Sequence, residues 1–339
     1  MFAQMEAVRL EALHLVHDPA TDLKAVIAIH NTRLGAALGG CRFLAYGDED
    51  SAIRDAMRLA QGMSYKAALA GLAQGGGKAV IMRPARLNDR AALFEAFGRM
   101  VESLNGRYIT AVDSGTSSAD MDCVARQTTH VTSTSQGGDP SSHTALGVFS
   151  GIRATALARL GSQNLEDLRI AIQGLGHVGY ALAELLAASG AELLVSDHNP
   201  GLVQLAVEQF DAHPVPSEAL LATPCDILAP CGLGGIFNSL SVAQLRCAAV
   251  AGAANNQLLH PGIADELEAR GILYAPDYVI NAGGLIYVSL QHANAPPERI
   301  TLQMRQIPRR LTDIYAHAQA EKRSPARVAD QLAEQLLYG

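Results

Sequence analysis

From Arg169 to Asp197 the chain reads RIAIQ, then GLGHVG, then YALAELLAASGA, then ELLVSD. A short apolar run leads directly into Gly174-Leu175-Gly176-His177-Val178-Gly179. A helix-compatible stretch follows, closed by Gly190, and then a second apolar run ends in an acid 18 residues beyond the last glycine. Few folds accommodate this order. A strand, a tight glycine turn, a helix and a second strand make a parallel β-α-β unit, whose crossover lays the helix over the sheet. The glycines let a pyrophosphate approach the helix N-terminus, where unpaired N–H groups and the helix dipole favour an anion. Asp197 is placed to accept hydrogen bonds from ribose hydroxyls and to repel a 2'-phosphate, so NAD is expected over NADP. A glycine-rich turn that holds no nucleotide is the alternative.

The alternation continues downstream, with strands expected at 225–230, 248–252 and 272–275. Each ends in small or polar residues, among them Cys231, Ala253, Asn255, Asn256 and Asp277. Such strand ends line the nicotinamide side of a doubly wound sheet. Asn281-Ala282-Gly283-Gly284 is expected to open a further helix on the same side. Asn256 and Asn281 are candidates for contacts with substrate and carboxamide, though asparagines at helix starts also serve as caps.

In the first half, GMSYKAALAGLAQGGGKAVIM holds Lys66 and Lys78 in surroundings almost free of other charge. Lys66 is expected to follow a helical run, and Lys78 to follow a glycine turn and lead into a buried strand, with both ammonium groups at element ends. Two desolvated ammonium groups close together disfavour each other's protonated form, which suits a lysine for moving protons near neutral pH. A P-loop is excluded, because Leu72 stands where its first glycine is required and Ala79 follows the lysine. A surface lysine after a glycine turn remains the plain alternative. Leu34 to Cys41 is expected to be a small-residue loop open to close backbone approach. A helix is expected over 89–104. Asp113 falls at the carboxyl end of a strand beginning near Tyr108, either as a ligand-facing group or as an ordinary turn aspartate.

Composition narrows the class. Of 339 residues, 49% are hydrophobic and 17% charged, enough for two sizeable cores. A net charge of -7 without a long basic run argues against nucleic acid or an anionic membrane as partner. The first residues carry Glu6, Arg9 and Glu11 and no uninterrupted apolar core, so a cytoplasmic location is expected. Five cysteines without a Cys-x-x-Cys suggest buried thiols, and no metal site. The polar TSTSQGGDPSS between Thr132 and Ser142 marks a hinge between domains.

Six blocks, GMSYKAALAGLAQGGGKAVI, RYITAVDSGTSSADMD, IQGLGHVG, DILAPCGLGGIFN, GAANNQL and YAPDYVINAGGLIYV, together resemble the signature blocks of the Glu/Leu/Phe/Val dehydrogenase family, in its order and most closely its leucine dehydrogenase branch. The resemblance implies an α/β fold of two domains. The first, residues 1–133, is a substrate-binding and dimerisation domain with a mainly parallel sheet. The second, residues 134–322, is a Rossmann NAD-binding domain, with the active site in the cleft between them and a C-terminal helix (323–339) packing back on the first. It further implies NAD-dependent, reversible deamination of an L-amino acid to its 2-oxo acid and ammonia. On matching positions, Lys66 binds the substrate carboxylate, Lys78 is the catalytic lysine, Asp113 moves protons to and from the substrate nitrogen, and Asn256 contacts substrate.

Leu38, before Gly39 and Gly40, stands where the family's glutamate enzymes carry a lysine for the distal carboxylate. An acidic side chain there would lack a partner, so glutamate is not expected. Ala111, Leu285 and Val288 match positions lining an apolar pocket. Ala111 is similar to the leucine branch and Leu285 to phenylalanine-active relatives, which puts aliphatic substrates first and aromatic ones second. Val112, Ser114 and His143 depart from the branch's usual residues. Gly339 ends the chain short of the tail that supports octamers in some leucine dehydrogenases, and a homodimer through the N-terminal domain is expected. Two rivals are an NAD-binding sensor without turnover and a hydroxyacid dehydrogenase. The first is disfavoured because Lys66, Lys78 and Asp113 are all present, and the second because it calls for a catalytic histidine and a clamping arginine.

Overall fold

The structure is a computed structural model describing residues 1–339. The chain folds into two compact units. Unit 1 comprises residues 1–139, 288–296 and 333–339, and unit 2 the residues 140–287 and 297–332.

Unit 1 is built on strands β1 (Ala12–Asp18), β2 (Leu23–Asn31), β3 (Ala37–Leu44), β4 (Gly75–Met82) and β5 (Tyr108–Val112), in the order β1-β2-β4-β3-β5. β3 pairs in parallel with both β4 and β5, whereas β2 runs antiparallel to β1 and β4, so four of the five strands point the same way. Its helices are α1 (Phe2–Ala7), α2 (Glu49–Leu69), α3 (Arg90–Ser103) and α4 (Ser118–Ala125). The period-two alternation of β4 sorts its residues between two cores. Ala79 and Ile81 join Phe94, Phe97, Met121 and Tyr108 on the α3/α4 side. Val80 joins Ala56, Met57 and Ala60 on the α2 side.

Of the loop expected over Leu34 to Cys41, residues 37–41 belong instead to the buried strand β3. Likewise Gly75 to Gly77 form no turn but lie within β4 together with Lys78. The reason is steric. A Cβ on Gly39 would lie 1.7 Å from the Gly77 carbonyl oxygen, one on Gly75 1.9 Å from the Asn31 carbonyl oxygen, and one on Gly76 2.0 Å from the Ser64 amide nitrogen. Glycine here permits strands and a helix to touch backbone to backbone, a use that composition alone does not distinguish from a turn.

Unit 2 holds a wholly parallel sheet of β6 (Arg169–Gln173), β7 (Glu192–Ser196), β8 (His213–Pro214), β9 (Ile227–Pro230), β10 (Ala249–Val250) and β11 (Leu273–Tyr274). Its order, β11-β10-β9-β6-β7-β8, is the doubly wound arrangement whose direction reverses between β6 and β9. The helices that follow in the chain are α5 (Ser141–Leu160), α6 (His177–Ala188), α7 (Pro200–Phe210), α8 (Ser239–Gln244), α9 (Ile263–Ala269), α10 (Asp277–Ile280), α11 (Gly283–His292), α12 (Pro297–Met304), α13 (Gln306–Glu321) and α14 (Pro325–Tyr338). α5 ends at Gly161 in the left-handed region (φ 81), and Ile152 and Ala156 on its inner face are buried. No helix is long and apolar enough to cross a membrane.

Candidate active site

In unit 1 the strand period brings the predicted residues onto one face. Lys78 lies two residues from both Gly76 and Val80, and so shares the α2 side of the sheet with them. Gly40 pairs with Ala111 and Leu38 with Ile109, which carries Leu38, Gly40 and Ala111 onto the same side. Asp113 follows directly at the carboxyl end of β5. Lys66 lies in the last turn of α2 rather than after the helix. The missing side chain of Gly76 is what lets that end of α2 reach β4, since Ser64 packs on it.

The geometry at Asp113 departs from the sequence picture of two mutually repelling lysines. Lys78 Nζ lies 2.5 Å from Asp113 Oδ2, and Arg42 Nε reaches the same oxygen at 3.3 Å. Lys78 is buried at 6% exposure, so its charge is met by a carboxylate inside the protein. Burial works to raise the Asp113 pKa, but the charges of Lys78 and Arg42 outweigh it and bring it down to about 2. The Asp113 amide donates to Thr116 Oγ1 at 2.8 Å, and Thr116 in turn donates to the Cys41 carbonyl, fixing the turn after β5. Behind it, Ser117 caps α4 in a reciprocal capping box with Asp120. A Cβ on Gly40 would come within 2.7 Å of the Asp113 Cβ, so this glycine makes room for the carboxylate.

Arg42, Asp55 and Tyr46 did not emerge from the sequence. Arg42 Nη1 donates to Asp55 Oδ2 at 2.8 Å, and the Tyr46 hydroxyl donates to the same oxygen at 2.8 Å. The signal lay in spacing. Arg42 is two residues past Gly40 on a strand, and Asp55 stands eleven residues before Lys66 on one helix, three turns away on the same face.

In unit 2 the glycine turn behaves as its pattern predicts. Gly174 adopts φ +93, and a Cβ there would press on Gly232 at 2.8 Å, where the loops after β6 and β9 meet at the reversal of strand order. A Cβ on Gly179 would lie 2.0 Å from the Gly174 carbonyl oxygen, whereas around Gly176, at the start of α6, nothing lies within 4 Å. The three glycines thus divide into a turn former, an open approach and a close helix contact. Leu175 is buried, and His177 and Val178 form the first turn of α6, which starts at His177 rather than Tyr180. Asp197 Oδ2 accepts from the Leu175 amide at 2.6 Å and Oδ1 from the Asn199 amide at 2.7 Å, so the acid also holds the turn in shape.

Asn281 does not open α11. It follows α10, and its side-chain amide donates to the Ala253 carbonyl at 2.9 Å and to Asn255 Oδ1 at 2.8 Å. Its own Oδ1 is buried without a partner, as is Gln173 Oε1 at the end of β6. Cys231 is bonded through its amide to the Gln173 carbonyl at 2.7 Å, and burial pushes its thiol up to about 12. These features fit a dinucleotide, with open space at Gly176 for a phosphate and an orphaned acceptor at Asn281 for an amide donor. Asn256, left-handed at φ 51, and Leu285 belong to unit 2, and Val288 to unit 1.

Residues 12–130 match the family model of the Glu/Leu/Phe/Val dehydrogenase dimerisation domain, and residues 195–334 that of Glutamate/Leucine/Phenylalanine/Valine dehydrogenase. The chain is 44% identical to leucine dehydrogenase of Geobacillus stearothermophilus, over 99% of this chain and 92% of that protein. It is 45% identical to valine dehydrogenase of Streptomyces albus, over 96% of this chain and 91% of that protein. Among solved structures, L-tryptophan dehydrogenase from Nostoc punctiforme superposes with a TM-score of 0.87 at 38% identity, covering 99% of this chain and 98% of that one. With this fold, this strand order and matches along nearly its whole length, the chain belongs to the glutamate/leucine/phenylalanine/valine dehydrogenase family of amino acid dehydrogenases.

Proposed function

We propose that the protein catalyses the NAD-dependent, reversible deamination of an apolar L-amino acid, taking leucine, valine or isoleucine first, to the 2-oxo acid and ammonia. The observation that carries this reading is the Lys78–Asp113 pair at 2.5 Å, on the face of β3, β4 and β5 that also bears Leu38 and Ala111. Residues 1–133 supply the substrate chemistry in this reading and residues 134–322 the cofactor site. NAD, when bound, accepts the hydride from the substrate Cα. Gly174, Gly176 and Gly179 would hold its pyrophosphate, Asp197 its adenosine ribose, and Cys231, Ala253, Asn255 and Asn281 its nicotinamide side.

Lys66 holds the substrate carboxylate and so fixes the direction in which Cα faces, an orientation effect that in general lowers barriers by several kcal/mol. Once Cα has been oxidised, water adds to the iminium carbon, and the amine form of Lys78 takes the proton that this water loses. Asp113 relays that proton from Lys78 to the nitrogen, the C–N bond breaks to release ammonia, and the added hydroxyl returns its proton to Lys78 as the carbonyl forms, with Asn256 steadying the substrate. Leu38 and Ala111, 2% and 6% exposed, offer the substrate side chain only apolar contact, and Leu285 and Val288 are the further apolar residues this reading assigns to it. A buried carboxylate there would have no partner, which disfavours glutamate.

Aromatic amino acids are the second reading, favoured by the likeness to the tryptophan dehydrogenase and by Leu285. The test is NAD reduction followed at 340 nm with L-Leu, L-Val, L-Ile, L-Phe, L-Trp and L-Glu at alkaline pH. Turnover with the aliphatic acids above all is expected, and Lys78→Ala is expected to lose at least roughly a thousandfold while still binding NAD. A preference for Phe or Trp would transfer the case to the second reading. Silence on all six substrates with NAD bound would end both. A homodimer is part of the proposal.

A further inference from the structure

Asp113 is held by two cations of different kinds. Lys78 can lose its proton in the reaction proposed above, but an arginine cannot at any working pH. We propose that Arg42 is a positioning residue of this enzyme, a permanently charged clamp that holds Asp113 in place, and a carboxylate between proton transfers, while Lys78 changes its protonation state. The inference rests on the deaminase reading.

The clamp is itself anchored. Arg42 spans two carboxylates, with Nε on Asp113 and Nη1 on Asp55. Asp55 Oδ2 also takes the Tyr46 hydroxyl, and Asp55 Oδ1 faces Arg58 Nη2 at 3.3 Å. The guanidinium of Arg42 is 18% exposed, so water screens it weakly. Both Lys78 and Arg42 address Oδ2 of Asp113. When Lys78 turns to water or substrate, Arg42 is left as the cation on that oxygen, and the carboxylate need not swing to follow the lysine. A lysine at position 42 would carry the charge but lacks the planar fork that meets two carboxylates at once.

The ionisable groups around this centre are Lys78 from β4 and Arg42 from β3, with Asp55 and Arg58 behind Arg42 on α2, which also carries Lys66; the buried Cys41 thiol and Tyr108 lie on the opposite face of the sheet, where the charge of Asp113 works against their ionisation. Of these, Arg42 is the fixed positive charge bonded to Asp113. Removing it takes a positive charge away from Asp113 and so favours proton binding at that carboxylate. The acid limb of the kcat/KM profile for deamination therefore moves to higher pH.

The experiment is the pH dependence of kcat/KM for the best amino acid substrate, in wild type, Arg42→Met, Arg42→Lys, Asp55→Asn and Asp113→Asn, with NAD affinity measured alongside. Arg42→Met is expected to shift the acid limb upward by about one pH unit with NAD affinity unchanged. Asp55→Asn removes a negative charge, which alone would lower the limb, but it also frees Arg42 from its anchor, and the proposal expects that release to win and give a smaller upward shift, whereas Arg42→Lys should recover most of the limb but not the rate. Superimposable normalised profiles for wild type and Arg42→Met overturn the proposal. If Arg42→Met does not fold, the decision passes to Asp55→Asn, whose unshifted limb would overturn it equally. Turnover retained in Asp113→Asn would overturn the deaminase reading itself, and the clamp with it. Turnover lost there, with unshifted limbs in the Arg42 and Asp55 variants, would remove only the clamp.

Discussion

His30 shows how much a single buried side chain can decide. It is wholly buried on β2, with Nε2 2.8 Å from the Val8 carbonyl oxygen and Nδ1 2.8 Å from Ser64 Oγ. A carbonyl only accepts, so Nε2 carries the proton and Nδ1 accepts from the serine hydroxyl. Burial lowers its pKa to about 4, against the smaller opposing effects of the Val8 carbonyl and Glu11. Since the folded value lies below the ordinary 6.5, the unfolded chain takes up the proton first. The stability this histidine contributes is therefore complete above pH 6.5 and is lost as pH falls toward 4, by up to roughly 3 kcal/mol. Urea unfolding at pH 7 and pH 4.5 should show a smaller loss in His30→Gln than in wild type; equal losses would rule His30 out as the source. The sequence did not reveal this histidine, which sits unremarked at the end of the apolar run LKAVIAIH. Lys78, Asp113 and Asp197 could be picked out because each stands beside a motif whose chemistry requires it. His30 and Arg42 matter through partners 34 and 71 residues away in the chain, distances that no local pattern spans.

Among elements, the contact between α2 and β4 is the one on which the site depends. Asp48 starts α2 as an N-cap accepting from the Ser51 amide, and an apolar stripe seats the helix on the sheet. Its last turn carries Lys66 and descends onto Gly76. Gly76→Ala would put a Cβ 2.0 Å from the Ser64 backbone nitrogen, which cannot rotate away as a side chain can. Overpacking of this kind costs about 1–3 kcal/mol, and here the displaced part is the turn bearing Lys66. The expected outcome is a KM for the amino acid raised by roughly tenfold or more, with a lower Tm and unchanged NAD affinity. A variant with wild-type KM and Tm would show that α2 does not bear on β4 as described. Strands and helices with clear periodicity were legible, among them β5, β6, β7 and α3. β3 was not, because ALGGC has the small-residue content of a loop. Its strand identity comes from pairing with β4 and β5 on both sides, which only the assembled sheet supplies.

For the whole molecule, the parallel order of the second sheet followed from one glycine fingerprint and repeated alternation, and the sequence alone supported it. The path of the chain was less visible at residues 288–296 than at the C-terminal helix, for which a return to the first domain was expected. Residues 288–296 and 333–339 group with unit 1 although the chain has already built most of unit 2. Arg33 donates to the carbonyls of Leu337 and Gly339, and Tyr65 to Glu334, contacts between residues some 270 to 300 apart. The proposed homodimer predicts sedimentation equilibrium at twice 35.7 kDa, and a mass of one chain or of a larger assembly would count against it. The glycines of β3 and β4 have a bearing on redesign. Randomising positions 39, 40, 75, 76 and 77 to accept bulkier amines would chiefly return unfolded protein, since each added methyl meets another element within 3 Å. A productive mutant library would leave those five positions alone and spend its diversity on Leu38, Ala111, Leu285 and Val288, which already carry side chains and which the proposed function sets against the substrate.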